Sequence, residues 1–291
     1  MNPVKLVVDQ KANLGEGPSW DERHQVLYWV DINGQKLHTY NPVTNENSTV
    51  DVGQRIGAVV PRRSGGVVMA LQNGFYTYDF ASREMTFIGD PEADKPGNRF
   101  NDGKCDAAGR FWAGTMSLDE SEPSGALYCL DTDLTIRKVL DNITVSNGIA
   151  WNADNTIMYY IDSNTKLVKA YDYDLSTGSM SNPRVVVDLT DTEVYPDGMA
   201  SDEEGMIWVA LWDGYCVKRW NPETGELLAT VDVPAARSSS CVFGGADLED
   251  LYITSARVGI SEEKLAEQPL AGGLFTVKTN VRGVPTYAFG G

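Results

Sequence analysis

Four side chains with oxygen donors recur at one position of a repeated sequence pattern. Each comes shortly before an apolar, strand-like segment, and together they are Glu16, Asn101, Asn147 and Asp197. In the two other repeats this position falls near Ile56 and Ser239, which cannot supply a comparable oxygen. Carboxylates and carboxamides without Cys or His form a hard, all-oxygen donor set. Such a set indicates Ca²⁺, Mg²⁺ or Mn²⁺ rather than structural zinc.

A purely structural interpretation of the same residues is also open. Asp-Gly and Asn-Gly pairs, such as Asp197-Gly198 and Asn147-Gly148, are frequent turn formers because both residue types tolerate the backbone angles of tight turns. The shared position favours a site over separate turns. When the repeats are aligned on this position, Glu16 matches the other three residues only after a shift of about one residue.

The elements that must position these side chains are six repeated units with a period of roughly 40 to 50 residues. Aromatic and β-branched segments alternate with turns rich in Gly, Asp, Asn and Pro, which is typical of antiparallel hairpins. The units begin near Val26, Gly66, Gly109, Thr156, Met206 and Asp250, and a final segment begins at Gly272. The pattern predicts an all-β fold, a six-bladed β-propeller of four-stranded antiparallel blades. If the innermost strands begin at one height in the channel, the four side chains meet at its mouth.

The whole chain, 1–291, is predicted to form a single propeller domain, since no Pro- or Ser-rich linker divides the repeats. The N-terminal segment VKLVVD should pair with strands from the C-terminal end, because an open ring would expose sheet edges. The best helical signal is the stretch from Ser261 to Glu267, in which Ser261 can cap the N-terminus.

Composition excludes several classes of partner. A formal charge of −17 argues against nucleic acid and anionic membranes, which require a basic surface. No apolar run reaches the roughly 20 residues of a membrane span, and the N-terminus lacks the pattern of a secretory signal, so the predicted location is the cytoplasm. The four cysteines have no metal-type spacing and are expected to be buried, reduced thiols. The oligomeric state is not predicted.

The sequence offers few residues that could form other kinds of catalytic site. The two histidines, His24 and His38, lie in the turn and outer strand of the first unit, away from the predicted channel mouth. The run Ser238-Ser239-Ser240 lacks the G-x-S-x-G context of a serine nucleophile. A His-based triad or a His-centred zinc site is therefore not expected.

The chain resembles the senescence marker protein, regucalcin and gluconolactonase family of six-bladed propellers over essentially its whole length. The resemblance rests on the order and number of its motifs, which are LGEGPSW, NRFNDGKCDAAGRFWAGTM, SNGIAW, YPDGMASDEEGMIWVALWDG and CVFGGADLEDLYITSAR followed by QPLAGGLF.

This resemblance implies roles for particular residues. A divalent metal would be held by Glu16, Asn147 and Asp197, and Asp197 would also act as the general base. A sugar-like ligand would be hydrogen-bonded by Arg99 and Asn101. A further carboxylate of the family, three residues beyond the Met of the GTM motif and often Glu, corresponds here to Asp119, which is one methylene shorter.

The leading hypothesis is a metal-dependent hydrolase that opens an aldono-1,4- or 1,5-lactone, a small-molecule sugar lactone, to the aldonic acid. The metal is left open among Ca, Mn, Zn, Mg and Fe. Two alternatives use the same site: a calcium-binding regulatory protein without turnover, and a hydrolase of phosphotriesters.

Overall fold

The computed structural model of the chain describes residues 3–291 and is built almost entirely of β-strands. In chain order the strands are β1 (Lys5–Val8), β2 (Gly15–Asp21), β3 (Val26–Asp31), β4 (Lys36–Asn41), β5 (Glu46–Asp51), β6 (Ile56–Pro61), β7 (Val67–Leu71), β8 (Gly74–Tyr78), β9 (Met85–Gly89), β10 (Asn98–Cys105), β11 (Phe111–Ser117), β12 (Gly125–Leu130), β13 (Ile136–Ile143), β14 (Ser146–Trp151), β15 (Ile157–Asp162), β16 (Leu167–Asp174), β17 (Ser179–Asp188), β18 (Tyr195–Ser201), β19 (Ile207–Trp212), β20 (Cys216–Trp220), β21 (Leu227–Asp232), β22 (Arg237–Gly244), β23 (Asp250–Ala256) and β24 (Leu274–Lys278).

These strands form six four-stranded sheets in which every neighbouring pair is antiparallel. Blades 1 to 5 each consist of four consecutive strands, starting with β2, β6, β10, β14 and β18. Blade 6 has the order β22-β23-β24-β1. The first strand of each blade packs against the first strands of the two neighbouring blades, so that these six innermost strands form a ring. The predicted six-bladed propeller is confirmed.

The core lies between the blades, and it explains why the central strands are continuous apolar runs. In β3, Leu27 and Trp29 join a cluster shared with blade 6, whereas Tyr28 and Val30 join one shared with blade 2. Successive side chains of a strand point to opposite faces, and both faces of a blade are covered by neighbours. Buried strands therefore need apolar residues at every position, as the sequence VLYWV shows.

The N-terminal segment closes the ring, as predicted. Strand β1 pairs antiparallel with β24, with Lys5 opposite Thr276 and Leu6 opposite Phe275. It becomes the outermost strand of a blade whose other three strands come from the C-terminal end. Pairing across the two ends of the chain covers the edge that β24 would otherwise expose.

The remaining predictions about local structure also hold. The α-helix α1 (Glu262–Glu267) begins after Ser261, whose side chain accepts a hydrogen bond from the backbone NH of Lys264. A short 3-10 helix spans Ser163–Thr165. All four cysteines are buried free thiols. Within residues 3–291 no helix has the length and apolar character needed to cross a membrane.

Candidate active site

One cavity of about 520 Å³ opens where the innermost strands begin. Its wall combines the starts of these strands with the loops that follow the second strand of several blades. Five of the residues singled out in the sequence line it, namely Glu16, Arg99, Asn101, Asn147 and Asp197. The fold therefore brings side chains from blades 1, 3, 4 and 5 to one place.

The candidate side chains lie at β-bulges of the innermost strands. In β10, Asn101 and Asp102 together face a single residue of β11, and β14 and β18 have the same irregularity at Asn147 and Asp197. A bulge leaves residues unpaired in the ladder and can re-aim their side chains. In β2 the bulge follows Glu16 instead of including it. This offset accounts for the shift that Glu16 required in the sequence alignment.

The glycines that follow two of these residues permit close packing of neighbouring blades. A Cβ atom on Gly148 would lie 2.6 Å from the carbonyl oxygen of Asp197, and one on Gly198 would lie 2.0 Å from Oγ of Ser240. Both glycines are inside strands. The interpretation of Asn147-Gly148 and Asp197-Gly198 as turns is therefore wrong, because these pairs occupy the contact between adjacent innermost strands.

A chain of hydrogen bonds fixes the amides of the site. Nη1 of Arg99 donates to Oδ1 of Asn101 at 2.6 Å, and Nδ2 of Asn101 donates to Oδ1 of Asn147 at 2.9 Å. Nδ2 of Asn147 then donates to Oγ of Ser163 at 2.8 Å, which itself donates to the carbonyl of Pro196 at 2.6 Å. Since its NH₂ group is held by Ser163, Asn147 keeps its carbonyl oxygen, with one lone pair free, toward the site.

The two carboxylates of the site, Glu16 and Asp197, are buried, and neither forms an ion pair within residues 3–291. Burial raises the pKa of Glu16 to about 8, and the charge of Asp102 contributes further. The pKa of Asp197 is raised well above its usual range, first by burial and then by the charge of Glu16. The charge of Glu16 thus makes ionisation of Asp197 less favourable, and the charge of Arg99 offsets only part of the increase in the pKa of Glu16.

The donor set fits a divalent cation. Oδ1 of Asp197 is buried and has no hydrogen-bond partner within residues 3–291, which is costly for a carboxylate oxygen. Together with Glu16 and the carbonyl oxygen of Asn147 it forms an all-oxygen set of the kind that hard cations prefer. No group of three or more His, Cys, Asp or Glu side chains suitable for a metal is found in that described part of the chain. Glu16, Asn147 and Asp197 are not such a group, because Asn147 contributes an amide oxygen instead of a carboxylate.

The structure places Asp119 away from the cavity wall and its neighbour Glu120 on it. Oδ1 of Asp119 accepts hydrogen bonds from the hydroxyls of Ser117 at 2.7 Å and Ser121 at 2.8 Å. These bonds, that from Ser117 first, lower the pKa of Asp119 to about 2. Asp119 thus organises its own loop, and Glu120 is the carboxylate that can reach a ligand from this loop.

Several residues of the wall escaped the sequence analysis. Arg55 precedes β6, and Ser163 follows β15. Tyr195 and Trp212 are directly opposite each other on β18 and β19, next to Asp197. The repeat alignment compared oxygen donors at one position only, so residues one or two positions away, or in the adjoining loops, were not found.

The histidines take no part in the cavity, as expected. His38 is fully buried and stacks on Trp29 with ring centroids 4.2 Å apart. Burial lowers the pKa of His38 to about 4. His24 pairs with Asp21 at 2.7 Å. Neither ring can serve as a base for chemistry in the cavity, because neither reaches its wall.

Comparison with known sequences identifies relatives over the full length of the chain. A family profile described as SMP-30/Gluconolactonase/LRE-like region matches residues 14–257. Regucalcin of Danio rerio is 43% identical over 291 residues, covering 99% of this chain and 98% of that protein. A Bacillus subtilis protein, provisionally named a sugar lactone lactonase, is 37% identical over 286 residues, and 98% of each chain is covered.

Solved structures show the same architecture. A luciferin-regenerating enzyme is 34% identical and superimposes with a TM-score of 0.91, covering 99% of each chain. A regucalcin from Agrobacterium tumefaciens, described as a calcium-binding protein, is 26% identical with a TM-score of 0.94, covering 98% of this chain and 96% of the other.

Proposed function

Because the chain belongs to the SMP-30/gluconolactonase/LRE-like family, we propose that it hydrolyses a sugar lactone, an aldono-1,4- or 1,5-lactone, to the aldonic acid with one divalent metal ion. The observation that carries this proposal is the buried Oδ1 of Asp197, which has no hydrogen-bond partner within residues 3–291 although Asp197 lines a cavity of about 520 Å³. A carboxylate oxygen of this kind can hold a cation, accept a proton from water, or do both in turn. We further propose that the reaction takes place in the cytoplasm.

The reaction consists of one addition and one bond cleavage. Asp197 accepts a proton from a water molecule as the water oxygen adds to the lactone carbonyl carbon. The ring C–O bond then breaks, and the proton passes to the departing ring oxygen, which becomes a hydroxyl group. Glu16, Asn147 and Asp197 would hold a divalent ion, which would supply positive charge to stabilise the developing oxyanion and make water more acidic.

The side chains around Asp197 would bind and orient the polyol. Arg99 uses Nη1 for Phe100 and Asn101, which leaves Nε and Nη2 free to donate to sugar hydroxyls. Glu120 offers an acceptor on the same wall. Asn101 has already donated both amide hydrogens, to the carbonyl of Ser146 and to Asn147. Its contact with a ligand is limited to one lone pair of Oδ1, so we assign it mainly the positioning of Arg99 and Asn147.

Acid release from a panel of aldonolactones tests this function. The titration is run with chelator, and then with Ca²⁺, Mn²⁺, Zn²⁺, Mg²⁺ or Fe²⁺ restored, and the spontaneous rate is subtracted. Activity that disappears with chelator and returns with one ion supports the proposal. If the protein binds Ca²⁺ but accelerates no lactone under any of these conditions, the regulatory calcium-binding alternative is favoured instead.

Replacing Glu16 by Gln should weaken divalent-metal binding by at least about tenfold, because a charged ligand becomes neutral while its shape is nearly kept. Isothermal calorimetry with Ca²⁺ and Mn²⁺ measures this change. Glu203→Gln is the matched control, since Glu203 is an exposed carboxylate that pairs with Arg282 at 3.3 Å. Unchanged affinity in Glu16→Gln would remove this residue from the metal site.

Metal binding should strengthen as the pH rises toward 8. In the metal-free protein Glu16 has a pKa of about 8, so below that pH a cation must displace a proton from it. Displacing one proton weakens apparent affinity by about tenfold per pH unit below the pKa, and the raised pKa of Asp197 makes the dependence steeper. Calorimetry with Ca²⁺ at pH 6 and pH 8, in two buffers of different ionisation enthalpy, counts the protons released. Equal affinity at the two pH values would contradict the assignment.

A further inference from the structure

Arg55 presents an unneutralised positive charge to the cavity. It is half-buried on the cavity wall, immediately before β6. Its side chain donates from Nε to Oδ1 of Asn33 at 3.3 Å and from Nη1 to Oε1 of Gln72 at 3.0 Å. Both partners are neutral amides. A guanidinium has five N–H donors, so three remain available, two of them on Nη2.

Two carboxylates on the cavity wall lie near other arginines. Asp213 pairs with Arg237 at 3.0 Å. Glu120 is the carboxylate whose charge acts most strongly on Arg99. The remaining pair, Glu16 and Asp197, is the proposed cation site. Arg55 forms no ion pair within residues 3–291, although the chain carries a net charge of −17 and offers 41 acidic residues. A half-buried cation without a carboxylate is unusual in such a protein, because burial without a partner costs free energy.

We propose that Arg55 binds a carboxylate of the substrate at the end remote from the lactone carbonyl. The preferred substrates are then lactones of sugar dicarboxylic acids rather than of neutral aldonic acids. This inference rests on the proposed lactonase function and specifies its substrate class. The remaining N–H donors of Arg55, two on Nη2 and one on Nη1, can serve both oxygens of a carboxylate, which a point charge such as lysine does not do with a fixed geometry.

The long-range field of the acidic protein does not prevent this binding. Charges separated by more than the Debye length of about 8 Å are largely screened at physiological ionic strength. A local guanidinium at hydrogen-bond distance therefore dominates recognition of an anionic group. Arg55 and Arg99 are the two arginines that line the cavity, and Arg99 is already bonded through Nη1 to Phe100 and Asn101 beside the proposed cation site.

The test compares two lactones that differ at one carbon. D-Glucono-1,4-lactone and D-glucaro-1,4-lactone share the same ring, and C6 is a hydroxymethyl group in the first and a carboxylate in the second. Wild-type kcat/KM should be about 10- to 100-fold higher for the glucarolactone. In Arg55→Gln the ratio should fall to near one, chiefly through a higher KM for the glucarolactone. Arg55→Lys keeps the charge without the fork and should give an intermediate ratio.

Arg184→Gln is the control, because Arg184 is an exposed arginine that pairs with Asp172 at 2.8 Å and should leave the ratio unchanged. Equal kcat/KM for the two lactones in the wild type, or equal losses for both in Arg55→Gln, would overturn the inference and leave Arg55 a structural support for Asn33 and Gln72. If no lactone is hydrolysed, the proposed lactonase function is wrong, but the carboxylate site at Arg55 can still be tested. Calorimetry measures the binding of glucarate and of gluconate to the metal-free protein. Glucarate binding that Arg55→Gln abolishes supports the carboxylate site, and equal binding of the two acids overturns it.

Discussion

Asp197→Asn should lose lactonase activity by about 1000-fold in kcat, even at metal concentrations high enough to refill the site. The carboxamide can still offer one oxygen to a cation, but it cannot accept a proton from water. Asp197 lines the cavity, and its Oδ1 has no hydrogen-bond partner within residues 3–291, so no group of that part of the chain competes for the atom that would accept the proton. The measurement is acid release from an aldonolactone, with the uncatalysed rate subtracted, over a series of metal concentrations.

The variant Asp172→Asn is the matched control. Asp172 is an exposed carboxylate that pairs with Arg184, so its loss should leave kcat unchanged. Calorimetry shows in parallel whether Asp197→Asn still binds the ion. If the variant binds metal weakly but regains more than about a tenth of wild-type kcat at saturation, Asp197 serves as a ligand only, and the base must be sought elsewhere.

Deletion of residues 4–8 should destabilise the protein by about 3 to 5 kcal/mol and lower Tm by roughly 10 °C. The deletion removes β1 and exposes the edge of β24. Leu6 packs against the cluster shared by blades 5 and 6, whereas Val7 and Val8 pack against the cluster shared by blades 6 and 1. Apolar contacts on both faces of the closing blade are therefore lost together with the strand pairing. Thermal unfolding followed by circular dichroism measures the effect.

Two single substitutions distinguish the loss of ring-closing contacts from the effect of shortening the chain. Leu6→Ala should lower Tm clearly, whereas Val185→Ala should not, because Val185 is 50% exposed on the outer strand of blade 4. An unchanged Tm after the deletion would mean that the contacts of β22 and β23 with β2 are sufficient to hold the ring closed.

The sequence was sufficient for the architecture because the information that specifies it is local and repeated. The alternation of apolar segments and turns recurs six times, and the central strands of a blade require apolar residues at successive positions because both of their faces are buried. The closing role of VKLVVD followed from the need to cover a sheet edge. Aligning the repeats also identified Glu16, Asn147 and Asp197, since equivalent positions of a propeller lie at equivalent heights.

The tertiary structure decided which atoms these positions offer. Asp119 and Glu120 are adjacent carboxylates, and only the hydrogen bonds from Ser117 and Ser121 turn Asp119 back into its loop while Glu120 reaches the cavity. The amide hydrogens of Asn101 are consumed by groups of blade 4, forty-five and forty-six residues away in the chain. Arg55 has only neutral partners because of how two loops pack. The direction of a side chain and its hydrogen-bond partners depend on contacts between segments that are distant in the chain. Residue type and spacing within one segment do not determine those contacts.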